Sequence, residues 1–182
     1  MTDQMQTKND PYLTLPDVPA FEVRSSTVAD RTPFAQEQYS GVFGVPGGRD
    51  ISPQLSWVGF PEETRSFVVT VFDPDAPTGS GFWHWAVGNI PASTTSLAED
   101  AGSESHELLP VGAVVFPNDA GLARYIGAAP PAGSGVHRYY ITVTALDVDR
   151  LELDESASPA FLAFNAGPHT IARGTLLAYA GE

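Results

Sequence analysis

The sequence predicts a mostly β protein built as one domain. Its 182 residues include 17 glycines and 16 prolines, and only 17% of them are charged. This composition suits many short strands joined by turns better than a helical bundle. Several uncharged runs are β-branched or aromatic, and others alternate with the period of two that is typical of strands. A chain of 182 residues can bury one hydrophobic core but is short for two.

The N-terminal part of the chain is predicted to contain a tail followed by short strands. Residues 1–12 are largely polar, and we expect a flexible tail there, with the single domain over residues 13–182. Phe21–Ser25 alternates cleanly and predicts a strand near a sheet edge. Gln36–Val45 is compatible with a further short strand, which would end at the Pro-Gly-Gly turn that follows it.

The most informative stretch begins where a buried strand ends. Ser66–Phe72 is uncharged, β-branched and aromatic, as in a strand that is buried on both faces. Asp73 and Asp75 follow it directly. Pro74 and Pro77 restrict the backbone between and after them, so the two carboxylates are held in a loop with few conformations. An Asp-Pro-Asp sequence is also common in turns that bind nothing, because Asp side chains accept hydrogen bonds from nearby backbone N–H groups.

A second strand, Trp83–Ile90, carries a histidine back toward this loop. Strict alternation places His84 on one face and its neighbours Trp83 and Trp85 on the other. A histidine between two tryptophans is, by itself, more often packed in a core than functional. The combination of the two carboxylates and this histidine in one loop and strand nevertheless favours a functional site.

A third segment adds a histidine and a tyrosine. Residues 127–135 are rich in glycine, alanine and proline, so their backbone can approach a ligand closely, although a plain connection has the same composition. The strand His137–Leu146 follows. Its alternation places His137 and Tyr139 on the same face, where an imidazole and a phenol can both donate hydrogen bonds.

One short helix is predicted near the C-terminus. Ser158 is a good N-cap, Pro159 suits the first helical position, and Gly167 is expected to end the helix. The segment His169–Tyr179 then alternates loosely and is expected to complete a sheet.

Composition excludes several functional classes. The net charge is −13 and no cluster of basic residues offsets it, so nucleic acid is not an expected partner. Without cysteine, the chain can form no disulfide and no cysteine-based metal site, and we expect neither a metal nor another cofactor. No run of eighteen apolar residues and no apolar leader is present, which predicts no integral membrane segment and a cytoplasmic location.

Two separated groups of motifs occur in order along the chain. They are Asp73-Pro74-Asp75-Ala76-Pro77 with Trp83-His84-Trp85, then Asn118-Asp119, and then Pro130-Pro131-Ala132-Gly133 with His137-Arg138-Tyr139. They resemble the motifs of the phosphatidylethanolamine-binding protein family, in its bacterial Raf kinase inhibitor-like branch, and the resemblance extends from about Phe21 to Tyr179. It implies an all-β sandwich of two antiparallel sheets with one or two short helices, and a pocket for phosphate-type anions.

The resemblance also assigns residues to that pocket. The rim would be formed by Phe82, Trp83, Pro77 and Gly127. The family often has Gly-Pro where this chain has Ala128 after Gly127, which would loosen one wall. The ligand-binding residues that it implies are Asp73, Asp75, His84, Ala129, Pro131, His137 and Tyr139.

These residues suggest a binding mechanism. We expect Asp73 and Asp75 to favour the charged form of the histidines, while His84, His137 and backbone N–H groups bind a phosphate-containing small molecule or a phospholipid headgroup. Binding should then weaken as pH rises through the histidine pKa values.

Two alternatives stay open. The same Asp and His residues can serve a metal-dependent or acid-base hydrolase, although no compact metal-ligand motif and no nucleophile elbow is present. The pocket rim can instead engage a kinase or another protein, which only the resemblance supports. We expect a binding protein without enzymatic activity, and a homodimer through exposed strand edges is possible in this fold.

Overall fold

The structure is a computed structural model that describes residues 10–182, so most of the tail predicted over residues 1–12 lies outside the described residues. Within the described part, nine strands and one α-helix account for the regular structure. They are β1 (Glu22–Arg24), β2 (Thr32–Pro33), β3 (Leu55–Val58), β4 (Ser66–Asp73), β5 (Phe82–Pro91), β6 (Ser96–Leu97), β7 (Val114–Val115), β8 (His137–Leu146), α1 (Pro159–Ala166) and β9 (Thr170–Ala180).

The strands form two sheets. The larger sheet has the order β2-β9-β8-β4-β5-β7, and the smaller has the order β1-β3-β6. The pairings are antiparallel, except that the short edge strand β2 runs parallel to β9. The predicted all-β fold of two sheets is therefore confirmed, and its long central strands β4, β5 and β8 begin or end within one or two residues of their predicted bounds.

The main hydrophobic core lies between the two sheets. Val23 and Trp57 of the smaller sheet pack in one cluster with Val69, Trp85 and Ile141 of the larger sheet. The uncharged strand β4 is buried at every position. On the far side of the sheet, Val68 of β4 joins a second, smaller core cluster that includes Leu162 and Ala166 of α1. β4 is thus the strand buried on both faces that its composition predicts.

The helix forms for the reasons that the sequence indicates. The hydroxyl oxygen of Ser158 accepts a hydrogen bond from the amide of Phe161 at 3.1 Å, and Pro159 occupies the first turn. Gly167 keeps a right-handed conformation at φ −49° and continues into a short 3-10 turn, Gly167–His169. No helix within residues 10–182 is long and apolar enough to cross a lipid bilayer.

The strand suggested for Gln36–Val45 is wrong. A 3-10 helix occupies Gln36–Gln38, and a run of turns follows it. The Gln38 side chain accepts a hydrogen bond from the amide of Ala35 at 2.9 Å, and the Asp50 carboxylate accepts one from the amide of Val42 at 3.0 Å. Side chains therefore satisfy backbone groups that a strand would have paired with a neighbouring strand.

Candidate functional site

The site is built at one end of the larger sheet, where three strand termini meet. Asp73 is the last residue of β4, Phe82 is the first of β5, and His137 is the first of β8. These three strands are adjacent, with β4 between the other two. The segments that sequence analysis singled out are therefore brought together by strand pairing.

A β-bulge places His84 in the site. Val71 of β4 pairs with Trp85 and Phe72 pairs with Trp83, so His84 is an extra residue on β5. Strict alternation, which placed His84 opposite both tryptophans, is therefore wrong for Trp85. Trp85 belongs to the core between the sheets, and the His84 ring lies 5.1 Å from the ring of Tyr139 in that same layer.

These residues line a small cavity that opens to solvent. Its volume is about 190 Å³. The aromatic ring of Phe43 is half exposed and packs edge-on against Phe82 at the mouth, with 6.3 Å between ring centroids. The lining residues are Phe43, Asp73, Ala76, Pro77, Thr78, Phe82, His84, Ala129, Pro130, Pro131, His137 and Tyr139.

Asp73 and His137 form a buried ion pair in the cavity wall. Asp73 Oδ2 lies 2.7 Å from His137 Nδ1, and Asp73 Oδ1 accepts hydrogen bonds from the amides of residues 75–76 at 2.8 and 3.0 Å. The other ring nitrogen, His137 Nε2, lies 2.9 Å from Ser134 Oγ, whose hydroxyl donates to the Pro131 carbonyl at 2.6 Å. Asp73 therefore holds the His137 ring through Nδ1, and the Ser134 hydroxyl lies between Nε2 and the Pro131 carbonyl.

His84 is in the opposite state. Its Nδ1 lies 2.9 Å from the carbonyl oxygen of Ile126, and so carries the proton. Burial lowers the pKa of His84, and this outweighs the opposing effects of the Ile126 carbonyl and the charge of Asp73. Asp73 does favour the charged form of His84, as expected, but burial outweighs this effect and the net shift is toward the neutral form. A neutral ring offers Nε2 as a hydrogen-bond acceptor.

Tyr139 supplies a buried hydroxyl that makes no hydrogen bond of good geometry within residues 10–182, although the Asp73 carboxylate lies close enough to act on it. The residue is 1% exposed, and within residues 10–182 its oxygen makes no hydrogen bond. Burial, reinforced by the charge of Asp73, raises the pKa of Tyr139, so the phenol keeps its proton. A buried hydroxyl without a partner costs about 1–3 kcal/mol. A ligand that accepts its hydrogen bond would recover that free energy.

Asp75 does not line the cavity. Its Oδ2 accepts from the backbone amide of Arg138 at 2.9 Å and from Nε at 2.8 Å, and its Oδ1 accepts from Nη2 at 2.8 Å. Burial tends to raise the pKa of Asp75, but the hydrogen bonds and charge of Arg138 outweigh it and hold the pKa below its usual range. Asp75 therefore ties the loop after β4 to β8 instead of facing a ligand.

Of the other predicted wall and rim residues, some line the cavity and some do not. Ala129, Pro131, Pro77 and Phe82 line the cavity. Trp83 and Gly127 do not. Trp83 stacks on Phe72 on the other face of the sheet, with 4.3 Å between ring centroids, and the Gly127 amide donates to Asp50 Oδ1 at 2.7 Å.

Sequence reasoning missed four lining residues. Ala76, Thr78 and Pro130 adjoin predicted site residues, so their positions in the sequence were a usable signal. Phe43 gave none, because it lies in the segment that was interpreted as a strand and reaches the site only through the turns after Gln38.

These features define a two-sheet β protein with a small cavity lined by polar groups at the end of its larger sheet. The sequence profile described as phosphatidylethanolamine-binding protein matches residues 24–180. The chain belongs to the phosphatidylethanolamine-binding protein family, as the resemblance implied.

Two relatives from Escherichia coli strain K12 illustrate the similarity. The UPF0098 protein YbcL is 44% identical over 153 residues, which cover 84% of this chain and 83% of YbcL. The UPF0098 protein YbhB is 48% identical over 131 residues, which cover 72% of this chain and 82% of YbhB.

Solved structures agree with this assignment. The crystal structure of E. coli YbcL is described as that of a new member of the mammalian phosphatidylethanolamine-binding protein family. It superposes with a TM-score of 0.85 and 40% identity, over 89% of this chain and 98% of that one. A homolog of phosphatidylethanolamine-binding protein from Chlamydia trachomatis superposes with a TM-score of 0.74 and 29% identity over 90% of this chain and 98% of that one.

Proposed function

We propose that the cavity at the end of the larger sheet binds a small phosphate-type oxyanion, carried by a phospholipid headgroup or another phosphorylated molecule. The observation that carries the proposal is the buried Tyr139 hydroxyl, which has no partner within residues 10–182 and lies in the same cavity as His84. The names of the relatives' family support a ligand of this class for the chain.

The charge balance of the wall selects the protonation state of the ligand. The oxygens of the Asp73 carboxylate are occupied by His137 and by backbone amides, and burial favours the neutral form of His84. A phosphate monoanion has oxygens that can accept from the Tyr139 hydroxyl and a P–OH that can donate to His84 Nε2. If the ligand arrives as a dianion, His84 must take up a proton to donate. In either case the complex holds one more proton than the free protein and the free phosphate dianion hold together.

The size of the cavity limits how much of a ligand it can enclose. A volume of about 190 Å³ equals the liquid volume of roughly six water molecules, at about 30 Å³ each. A phosphate with a small substituent fits, and a longer molecule must extend past Phe43 and Phe82 at the mouth. A protein partner, including a kinase, would meet the ligand or the protein at these two rings.

Calorimetric titration with inorganic phosphate and with O-phosphoethanolamine tests the proposal. We expect Tyr139→Phe and His84→Ala to weaken binding at least tenfold, while His169→Ala, an exposed histidine paired with Asp147, leaves it unchanged. Affinity should fall between pH 6 and pH 9, with proton uptake on binding. Equal affinity of wild type and Tyr139→Phe, or tighter binding at pH 9, would contradict the proposal.

We also propose that binding is not followed by hydrolysis. Both oxygens of Asp73 are occupied by His137 and by backbone amides, and both oxygens of Asp75 are occupied by Arg138, so neither carboxylate is free to act as a base. A phosphoester assay should give the same rate with and without protein. Turnover that is lost in Asp73→Asn would instead support the hydrolase alternative.

A further inference from the structure

A second cavity lies on the opposite face of the larger sheet. It is bounded by the segment of residues 11–18, by the outer face of β4 and β8, and by α1, and its volume is about 280 Å³. It shares no lining residue with the candidate site. We call it the outer cavity.

The walls of the outer cavity are mostly apolar. Val68 of β4, Trp83 of β5 and Ala166 of α1 form its floor and one side, and Leu15 and Pro16 form the other. Leu15 is 42% exposed, so apolar surface continues to the mouth of the cavity. An apolar cavity with one or two placed polar groups is the usual form of a small-molecule site.

One cation faces this cavity, and it has no ionic partner within the part of the chain that the structure describes. Arg173 is the only charged residue among the lining residues, and its guanidinium lies 5.3 Å from the centroid of the Tyr12 ring. The Tyr12 hydroxyl is 2.6 Å from Thr142 Oγ1, which fixes the ring on the sheet. A cation over an aromatic face is oriented but not neutralised.

The isolation of Arg173 is unusual in this chain. Six of the eight arginines have a carboxylate within ion-pair distance, whereas among residues 10–182 Arg49 and Arg173 have none, and of these two Arg49 is exposed and Arg173 is partly buried. The chain carries 22 acidic residues against 9 basic ones, so carboxylates are abundant. A partly buried guanidinium without a counter-ion is costly, and an anionic ligand would remove that cost.

We propose that the outer cavity binds a small amphiphilic carboxylate. Its carboxylate pairs with the guanidinium of Arg173, and its apolar chain lies against Val68, Trp83 and Ala166. An apolar cavity of about 150 Å³ holds benzene, which has six carbon atoms. The outer cavity, at about 280 Å³, therefore accepts a ligand of about ten non-hydrogen atoms, the size of octanoate. A polyanion gains nothing here, because one cation meets it and the remaining surface is apolar.

Calorimetric titration with octanoate, and with 1-octanol as the uncharged probe of nearly equal size, tests this site. We expect octanoate to bind at least tenfold more tightly than 1-octanol. Arg173→Gln should reduce octanoate affinity to that of 1-octanol, and Arg150→Gln, an exposed arginine on another surface, should leave it unchanged. Equal affinities of the two probes for the wild type would overturn the proposal.

A second pair of variants does not depend on Arg173. Ala163 is an exposed lining residue of α1, and Ala160 is exposed on the same helix but does not line the cavity. Ala163→Trp should abolish octanoate binding, and Ala160→Trp should not. Trp83 fluorescence should change on binding in the Ala160→Trp variant as in the wild type.

Two further outcomes would also overturn the assignment. Loss of octanoate binding in His84→Ala would place the ligand in the candidate site instead, whereas unchanged binding there keeps the two sites distinct. A dimer that forms without ligand and is abolished by Ala163→Trp, measured by light scattering, would assign the outer cavity to a second copy of the chain.

Discussion

Replacing Asp73 with asparagine isolates the contribution of the buried ion pair. Asparagine has nearly the same size, and its carbonyl oxygen can still accept the two backbone hydrogen bonds that Asp73 Oδ1 receives from residues 75–76. What the substitution removes is the negative charge that lies 2.7 Å from His137 Nδ1. The turn after β4 should therefore keep its form while His137 loses its counter-ion.

The expected cost follows from burial. The side chains of His137 and Asp73 are 1% and 3% exposed, so neither water nor salt screens the pair. Removing one partner of a buried hydrogen-bonded pair costs about 1–3 kcal/mol, because the remaining polar group is left without a partner. The double variant Asp73→Asn with His137→Gln removes both partners, and we expect it to be at least ~1 kcal/mol more stable than the sum of the two single changes predicts.

Urea unfolding at pH 7 measures these free energies, with the denaturant slope as a check that the unfolded states are comparable. Asp149→Asn is the control, since Asp149 pairs with Arg65 on the exposed surface and its loss should leave the unfolding midpoint nearly unchanged. A cost for Asp73→Asn below ~1 kcal/mol, or strict additivity in the double variant, would refute a stabilising interaction between Asp73 and His137.

Two further substitutions test how the loop and the wall are held. Because hydrogen bonds from Arg138 keep the folded pKa of Asp75 below its unfolded value of about 3.9, the stabilisation is complete above that pH and is lost as pH falls through the folded pKa. Asp75→Asn should therefore be less stable than the wild type at pH 7, with the difference shrinking in urea titrations below about pH 4; a constant difference would contradict this. Gly127→Ala should cost about 1–3 kcal/mol, because a Cβ there would lie 2.3 Å from the backbone carbon of Tyr39. Gly79→Ala, where no atom lies within 4 Å, is its control in thermal unfolding, and equal stability of the two variants would contradict the steric argument.

The main strands could be predicted because each has one dominant physical requirement. Ser66–Asp73 is buried on both faces and has no charge to contradict that placement, and His137–Leu146 alternates without interruption. Pairing of these strands then brings Asp73, His137 and Tyr139 together at one end of the sheet. On β4 and β8 the direction of each side chain follows from the strand period of two alone. The predicted residues on these strands therefore meet in the cavity.

The errors arise where one residue departs from that periodicity or where a charge has a nearer partner. The bulge at His84 places Trp85 on the same face as His84, and nothing in the alternation of β5 indicates an extra residue. The resemblance assigned Asp75 to the ligand, but Arg138 donates hydrogen bonds to both of its carboxylate oxygens. Local spacing cannot rank two such partners for one carboxylate.

The acidity of the chain need not oppose anion binding at this cavity. The electrostatic potential that an entering anion meets in the cavity is set by the nearest charges. Charges farther away on the surface are screened over about 10 Å at 0.1 M salt. Asp73, the one carboxylate in the wall among residues 10–182, has its oxygens occupied by His137 at 2.7 Å and by two backbone amides. The neutral His84 and the protonated Tyr139 then present hydrogen-bonding groups without adding negative charge. The net charge of −13 therefore acts mainly by repelling an anion as it approaches the protein. Anion affinity at low ionic strength should rise when salt is added up to about 0.1 M. An uncompensated cationic site would show the reverse.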